Sequence, residues 1–328
     1  MGKLDDPFLL AWSKEFSFPV IVGSLIHAMV HTRPDIAYAV SILSRYMAKP
    51  ELHHYKAALH LMRYLKETRT LGIEYRQENM HRQGPYVTAA VEHSASSHHH
   101  PTHDCVLEAA ADASFADDPE TYRSTGGFVV WFGGSPVDYE CKRQPLVTMS
   151  TLESEYVCAS RCVLSIRFIH KFMDFIGLSR IGPTRVHEDN AACIAISNKP
   201  VHRMRSKHIG IKYHNVREAV QNGEVDLTPI WTEHNVADIF TKSESHATFL
   251  RFREVLLGHK SLYAMMDSYP KPPKDKVGCT VNYVDNECAW PTLRMPLTYD
   301  SHVSEILGVS KLIVPGYDVQ FVSLEPWT

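Results

Sequence analysis

The sequence is short of several things, and each shortage narrows what the chain does. It has no apolar run long enough to cross a bilayer: the best, Val20 to Val30, is interrupted by Gly23, Ser24 and His27. The flanks of that run are also wrong for a signal peptide, so no membrane partner is expected. Seven cysteines form no CxxC pair and no regular disulfide framework, which reads as a reducing, intracellular compartment, cytoplasmic or nuclear. Cys158 and Cys162 fall one helical turn apart and read as core. Net charge is only −3, so any nucleic-acid surface has to be local. No paired-Asp polymerase motif occurs; Tyr283-Val284-Asp285-Asn286 lacks the second Asp, and no polymerase activity is expected.

What is present falls into four stretches of the 328 residues. Residues 1–85 read as a small helical unit. Residues 1–17 look like an edge rather than a folded start. Leu25 to Val30 is helix-like, and Thr32-Arg33-Pro34-Asp35 marks a helix start, with Pro34 in the first turn and Asp35 at the positive end of the dipole. Ile36, Val40, Leu43 and Met47 recur at helical spacing up to Pro50. A second helix runs from Leu52 to Lys66, and Gly72–Arg76 reads as a short strand. Residues 86–104 are a polar, His-rich linker whose spacing matches no tetrahedral metal site. Residues 105–258 form the main domain. Residues 259–328 are a Pro-rich, aromatic tail of unknown role.

The main domain is organised around residues 105–156. An apolar run ends at Asp112; Arg123 to Gly127 reads as a turn region; Phe128–Phe132 and Pro136–Cys141 read as strands. A helix then runs from Leu152 to Ile176, with Leu152, Tyr156, Ala159, Val163 and Ile166 as its core stripe and Gly177 as its stop. Arg185–Glu188 reads as a strand, Asp189-Asn190 as a cap, and Ala191–Ser197 as a helix. A strand over Val225–Trp231 follows, and His234-Asn235 caps a last helix starting near Val236.

Four acids, Asp112, Glu155, Asp189 and Asp238, occupy places from which they could meet over metal. Each alone has an ordinary explanation: a strand-end turn, a helix rim, an N-cap, an acid complementing a helix dipole. Glu153 and Glu155 separate by geometry. Two residues along a helix is about 200°, so both cannot face one site. Ser150-Thr151-Leu152-Glu153 fits a capping box, with Glu153 reaching back to the Ser150 amide. Glu155 is therefore the site residue. Residues 199–217 carry Lys199, Arg203, Arg205, Lys207, Lys212 and Arg217 with no Asp or Glu, a run able to track a phosphate backbone or simply to face water.

These motifs together make the chain recognisable. Residues 105–245 resemble the ribonuclease H domain of copia-type retrotransposon polyproteins. The resemblance rests on Asp112-Ala113-Ser114-Phe115-Ala116-Asp117-Asp118, Arg123-Ser124-Thr125-Gly126-Gly127 and Ser150-Thr151-Leu152-Glu153-Ser154-Glu155-Tyr156. It continues through Glu188-Asp189-Asn190-Ala191-Ala192, Arg205-Ser206-Lys207-His208-Ile209 with Tyr213-His214, and Asn235-Val236-Ala237-Asp238-Ile239-Phe240-Thr241-Lys242. Upstream, Val22-Gly23-Ser24-Leu25, Thr32-Arg33-Pro34-Asp35-Ile36 and Leu61-Met62-Arg63-Tyr64-Leu65-Lys66 resemble the segment after the polymerase palm. Phe115 stands where the family usually has Trp. Thr228 stands where many ribonucleases H carry an auxiliary His, leaving His208 and His234 as candidates for that role.

The resemblance implies an α/β, ribonuclease H-like mixed five-stranded sheet flanked by helices and preceded by the helical unit. It implies hydrolysis of the RNA strand of an RNA–DNA hybrid by two Mg²⁺ ions, or Mn²⁺, about 4 Å apart. Asp112 would bridge both ions, Glu155 and Asp189 would serve one, and Asp238 the other. Lys142, Arg143, Asn190, Arg203, Arg205, Lys207, His208 and Lys212 are the implied nucleic-acid contacts. The other implied partner is the remainder of the polyprotein. The alternatives are a non-catalytic hybrid-binding fragment or an inactive transposon relic.

Overall fold

The computed structural model describes residues 7–75, 107–178, 182–198 and 210–268. The His-rich linker, residues 199–209 of the basic run and most of the tail lie outside them, and so do the readings made on those stretches.

A mixed sheet forms the centre. Its strands are β1 (Leu107–Ser114), β2 (Thr125–Phe132), β3 (Ser135–Arg143), β4 (Thr184–Glu188) and β5 (Val225–Pro229), in the order β3-β2-β1-β4-β5. β2 runs antiparallel to β1 and β3, whereas β4 is parallel to β1 and β5. This is the mixed five-stranded sheet expected. Two details differ. The turn read at Arg123–Gly127 is shorter, because Thr125, Gly126 and Gly127 are already paired in β2. The last strand ends at Pro229 rather than Trp231.

One face of the sheet is covered by the long helix α5 (Thr151–Phe175), with α6 (Ala191–Asn198) and α7 (Gly210–Gln221) beside it. Tyr156, Ala159, Val163 and Ile166 recur at three- and four-residue spacing, so they share one side of α5 and are all buried against Ala109, Ala111, Val130 and Val186. Burying each large apolar side chain contributes about 1.5–3 kcal/mol. Gly177, at φ +75, ends the helix in the left-handed region.

The other face carries a different core. Ala110, Val129 and Trp131 pack against Val236, Ile239 and Phe240 of a short 3-10 helix, Val236–Phe240, and against α8 (His246–Leu256) and α9 (Leu262–Ser268). The expected helix near Val236 is thus a single tight turn, capped as read by Asn235, whose side chain accepts from the Ala237 amide. Leu262 and Met265, beyond the expected boundary at 258, are buried in this core.

The upstream unit comprises α1 (Pro7–Glu15), α2 (Phe18–His31), a 3-10 turn over Pro34–Ile36, α3 (Ala37–Ser44) and α4 (Leu52–Glu67). α1 corrects the reading of 1–17 as an edge: Leu9 and Trp12 are buried in the unit's own core. The helix after Pro34 ends at Ser44, short of Pro50, and residues 71–75 form no strand. Instead the Glu74 amide donates to the Leu257 carbonyl at 2.8 Å. Among the described residues no single helix is long and apolar enough to cross a membrane, although the bent pair α1–α2 has the length and composition.

The unit is docked on the sheet. Ala37 is buried in the second core, and Tyr139 of β3 donates to the Met29 carbonyl at 2.8 Å. Arg45 donates to Thr125 at 2.8 Å and pairs with Asp117 at 3.4 Å. Asp35, read as a dipole acid, is buried: it pairs with Arg33 at 2.7 Å and accepts from Tyr64, which in turn accepts from Arg253 of α8.

Candidate active site

Asp112 sits near the end of the central strand, directly opposite Gly127. That glycine has a packing reason. A methyl group there would overlap Phe240, so only glycine lets the Val236–Phe240 turn come down onto the sheet at this level. A methyl on neighbouring Gly126 would press on Cys158 of α5, 3.2 Å away. The glycine pair thus lets a turn on one face and a helix on the other approach the strand end where Asp112 stands.

Each acid has its own support. Glu155 enters from the first turns of α5 and accepts a hydrogen bond from the Ala113 amide. Asp189 follows β4 directly, and the Asp189-Asn190 corner is tied back by the Asn190 amide donating to Glu188 Oε1 at 3.1 Å. The Asn235 side chain donates to the Ala111 carbonyl at 3.0 Å, which pins the turn bearing Asp238 to β1. Thr241, from the same turn, donates to Asp112 Oδ2.

Carboxylate oxygens of Asp112, Glu155 and Asp189 all lie within 4.8 Å of one another. Asp238 is 2% exposed, lies beside Asp112, and pairs with Lys242 at 2.5 Å. Burial pushes Glu155 up to about 11, reinforced by the charges of Asp112, Glu188 and Asp189. Burial and then Asp112 push Asp238 up to about 9, against the pull of Lys242. Asp112 is raised for the same first reason, burial. Glu155 Oε2 and Asp238 Oδ1 are buried with no hydrogen-bond partner. An all-carboxylate donor set with two orphaned buried oxygens fits a hard divalent cation such as Mg²⁺.

Glu153 faces away, as expected, but its bond differs in detail: Ser150 Oγ accepts from the Glu153 amide at 3.2 Å, while Glu153 accepts from Met149 rather than from Ser150. Lys142 is exposed at the end of β3, and Arg143 is engaged with Asp118. The Asn190 side-chain oxygen caps α6, accepting from Ala192 and Cys193 at 3.1 Å each. Arg203, Arg205, Lys207 and His208 lie outside the described residues, as does the Lys212 side chain. Thr228 is on β5, and His234 is buried, 4% exposed.

Three residues at the cluster were not singled out from sequence: Thr241, Lys242 and Glu188. Lys242 stands four residues after Asp238, a spacing that brings side chains together on a helical turn and was the available signal. Glu188 is fully buried, with Oε2 unpartnered.

Fold and site together define an α/β protein of the ribonuclease H-like class with a buried carboxylate cluster on its central strand. No family model matches the chain. It is 31% identical over 232 residues to the retrovirus-related Pol polyprotein from transposon RE1 of Arabidopsis thaliana, covering 71% of this chain and 14% of that protein. It is 29% identical over 248 residues to the Pol polyprotein from transposon TNT 1-94 of Nicotiana tabacum, covering 73% of this chain and 16% of that one. The chain is related to a segment of the retrovirus-related Pol polyproteins of transposons, and spans about one seventh of the length of these relatives. Among solved structures it is similar to LC11-RNase H1, isolated from compost, at 12% identity and a TM-score of 0.33, over 42% of this chain and 92% of that one.

Proposed function

We propose that the chain is the ribonuclease H segment of a retrotransposon polyprotein, hydrolysing the RNA strand of an RNA–DNA hybrid. The observation that carries this reading is the convergence of Asp112, Glu155 and Asp189 within 4.8 Å, from two strand ends and a helix. Asp238 lies alongside through its contact with Asp112.

Asp112, Glu155, Asp189 and Asp238 would hold two divalent cations. When bound, the ions activate the attacking water and stabilise the leaving 3′-oxygen. The chain's own residues set the geometry. Thr241 fixes the Asp112 rotamer, Asn235 holds the Asp238 turn against β1, and the Ala113 amide orients Glu155. Such supports keep ligands in place before substrate arrives. RNA would be told from DNA by its 2′-hydroxyls. Lys142 and the basic run over 199–217 serve in this reading as phosphate contacts. The rest of the polyprotein is the expected covalent partner.

A labelled hybrid incubated with purified protein and Mg²⁺ tests the reading. The expected result is cleavage of the RNA strand, abolished by chelator and restored by Mg²⁺. A hybrid that binds and stays intact with Mg²⁺ or Mn²⁺ would leave the non-catalytic reading standing instead.

A further inference from the structure

α5 has two faces, and the mechanism uses only one. Its outer face carries Leu164, Phe168, Phe172, Phe175 and Ile176, exposed by 56, 72, 55, 86 and 48%. At 100° per residue these five fall within about 120° of arc, opposite the side that buries Val163 and Ile166. They also point away from Glu155, nine residues before Leu164 and so about 180° round the helix. Off this arc, Arg167 reaches Asn215 of α7 at 2.7 Å; on it, Arg161 and Ser165 bond to Glu140 and Asp138 of the edge strand β3. Isolated exposed apolar residues are ordinary, but a continuous row of three phenylalanines, a leucine and an isoleucine is not.

We propose that this face pairs with the same face of a second copy of the chain. Two features favour that occupant. The first is symmetry of spacing. Leu164, Phe168, Phe172 and Ile176 are placed evenly about position 170, so two copies of α5 laid antiparallel across a twofold axis bring Phe168 against the partner subunit's Phe172, and Leu164 against the partner subunit's Ile176. An isologous interface requires this kind of self-match. The second is area. A phenylalanine offers about 200 Å², so the exposed parts of the five side chains sum to roughly 600 Å² per copy. Doubled, that is about 1,200 Å², the lower edge for a specific pair and the range of a reversible one. Phosphate recognition does not suit the stripe, since Arg161, the one α5 cation on that arc, is already paired with Glu140.

The test is the molar mass of the full chain by light scattering from about 1 to 100 µM, a span suited to an interface of this size. The expected result is a concentration-dependent monomer–dimer equilibrium. Phe168→Glu with Phe172→Glu should weaken it at least about a hundredfold, since two central anchors are lost from each copy. Leu146→Glu, an exposed apolar residue in the loop before α5, should leave it unchanged. A photo-crosslinking benzoylphenylalanine in place of Phe168 supplies a readout that does not depend on the charged variant folding. It should join two chains through residues 164–176. A chain that stays monomeric throughout, a dimer indifferent to the double substitution, or crosslinks landing elsewhere would each overturn the proposal.

Discussion

The ammonium of Lys242 lies 2.5 Å from the Asp238 carboxylate, four residues away on the same turn. A cation fixed there offsets part of the repulsion among Asp112, Asp238 and their neighbours when no metal is bound. Lys242→Gln is therefore expected to lower the melting temperature of chelator-treated protein by about 2–4 °C, the shift that 1 kcal/mol gives a domain of this size. Saturating Mg²⁺ should recover most of the loss. An equal loss with and without Mg²⁺ would mean that the lysine acts only as packing.

Asp112→Asn keeps side-chain shape and removes the charge that the central strand brings to the cluster. Cleavage should fall by more than the roughly 10²–10³ that one electrostatic donor is worth, while hybrid binding persists. Glu153→Ala should instead cost about 0.5–1 kcal/mol of stability and leave the rate per folded molecule intact, because Glu153 serves only the helix cap. Loss of cleavage in the Glu153 variant, with Glu155→Gln tolerated, would reverse the assignment of the two glutamates.

Gly127 and Gly23 make a paired test. A Cβ at Gly127 would overlap Phe240, so Gly127→Ala should cost about 1–3 kcal/mol and weaken Mg²⁺ binding by moving the Asp238 turn. Gly23 lies inside α2 with nothing within 4 Å of an added Cβ. Gly23→Ala should stabilise by about 0.5–1 kcal/mol, measured by denaturant midpoint.

Burial raises Asp118, but hydrogen bonds from Thr121, Arg143 and the Glu120 amide outweigh it and bring the carboxyl down to about 2. A depressed carboxyl stabilises the fold fully above its unfolded value, near 4, and loses that contribution as pH falls towards about 2. Arg143→Met should move the acid-unfolding midpoint upward. An unchanged midpoint in acid titrations followed by circular dichroism would show that the Asp118 pairing adds nothing to stability.

The basic run predicts a salt effect. Replacing Arg203, Arg205 and Lys207 with Ala should flatten the slope of log affinity against log salt by roughly 0.7–0.9 per lost contact. A slope that does not move would make the run a solvated face.

The parts of this protein that were readable from sequence are those whose cause is local. The α5 stripe Tyr156–Ala159–Val163–Ile166, the Ser150 cap and the stop at Gly177 each follow from spacing or backbone freedom within a few residues. The choice of Glu155 over Glu153 needed only helix geometry, and Glu155 does lie with Asp112 and Asp189. Tertiary causes were not readable. Among the described side chains of α1, Leu9 and Trp12 alone are inward anchors, too few to make a periodic signal. Asp35 had a sufficient local explanation as a dipole acid, which hid its pairing with Arg33 and Tyr64. Lys242 and Thr241 gain meaning only when the last turn is folded back over β1.

The burial of Ala37 beside Ala110, Val129 and Trp131 bears on heredity as much as on folding. In the linear gene the upstream helices and the carboxylate-bearing sheet are separate stretches, with residues 76–106 between them. In the folded chain the seam between them crosses a shared interior, with Arg45 on Thr125 and Tyr64 under Arg253. A crossover that brings in a diverged sheet must also bring in helices that fit it. The two are therefore expected to pass between elements as one cassette and to accumulate compensating changes in pairs across the seam.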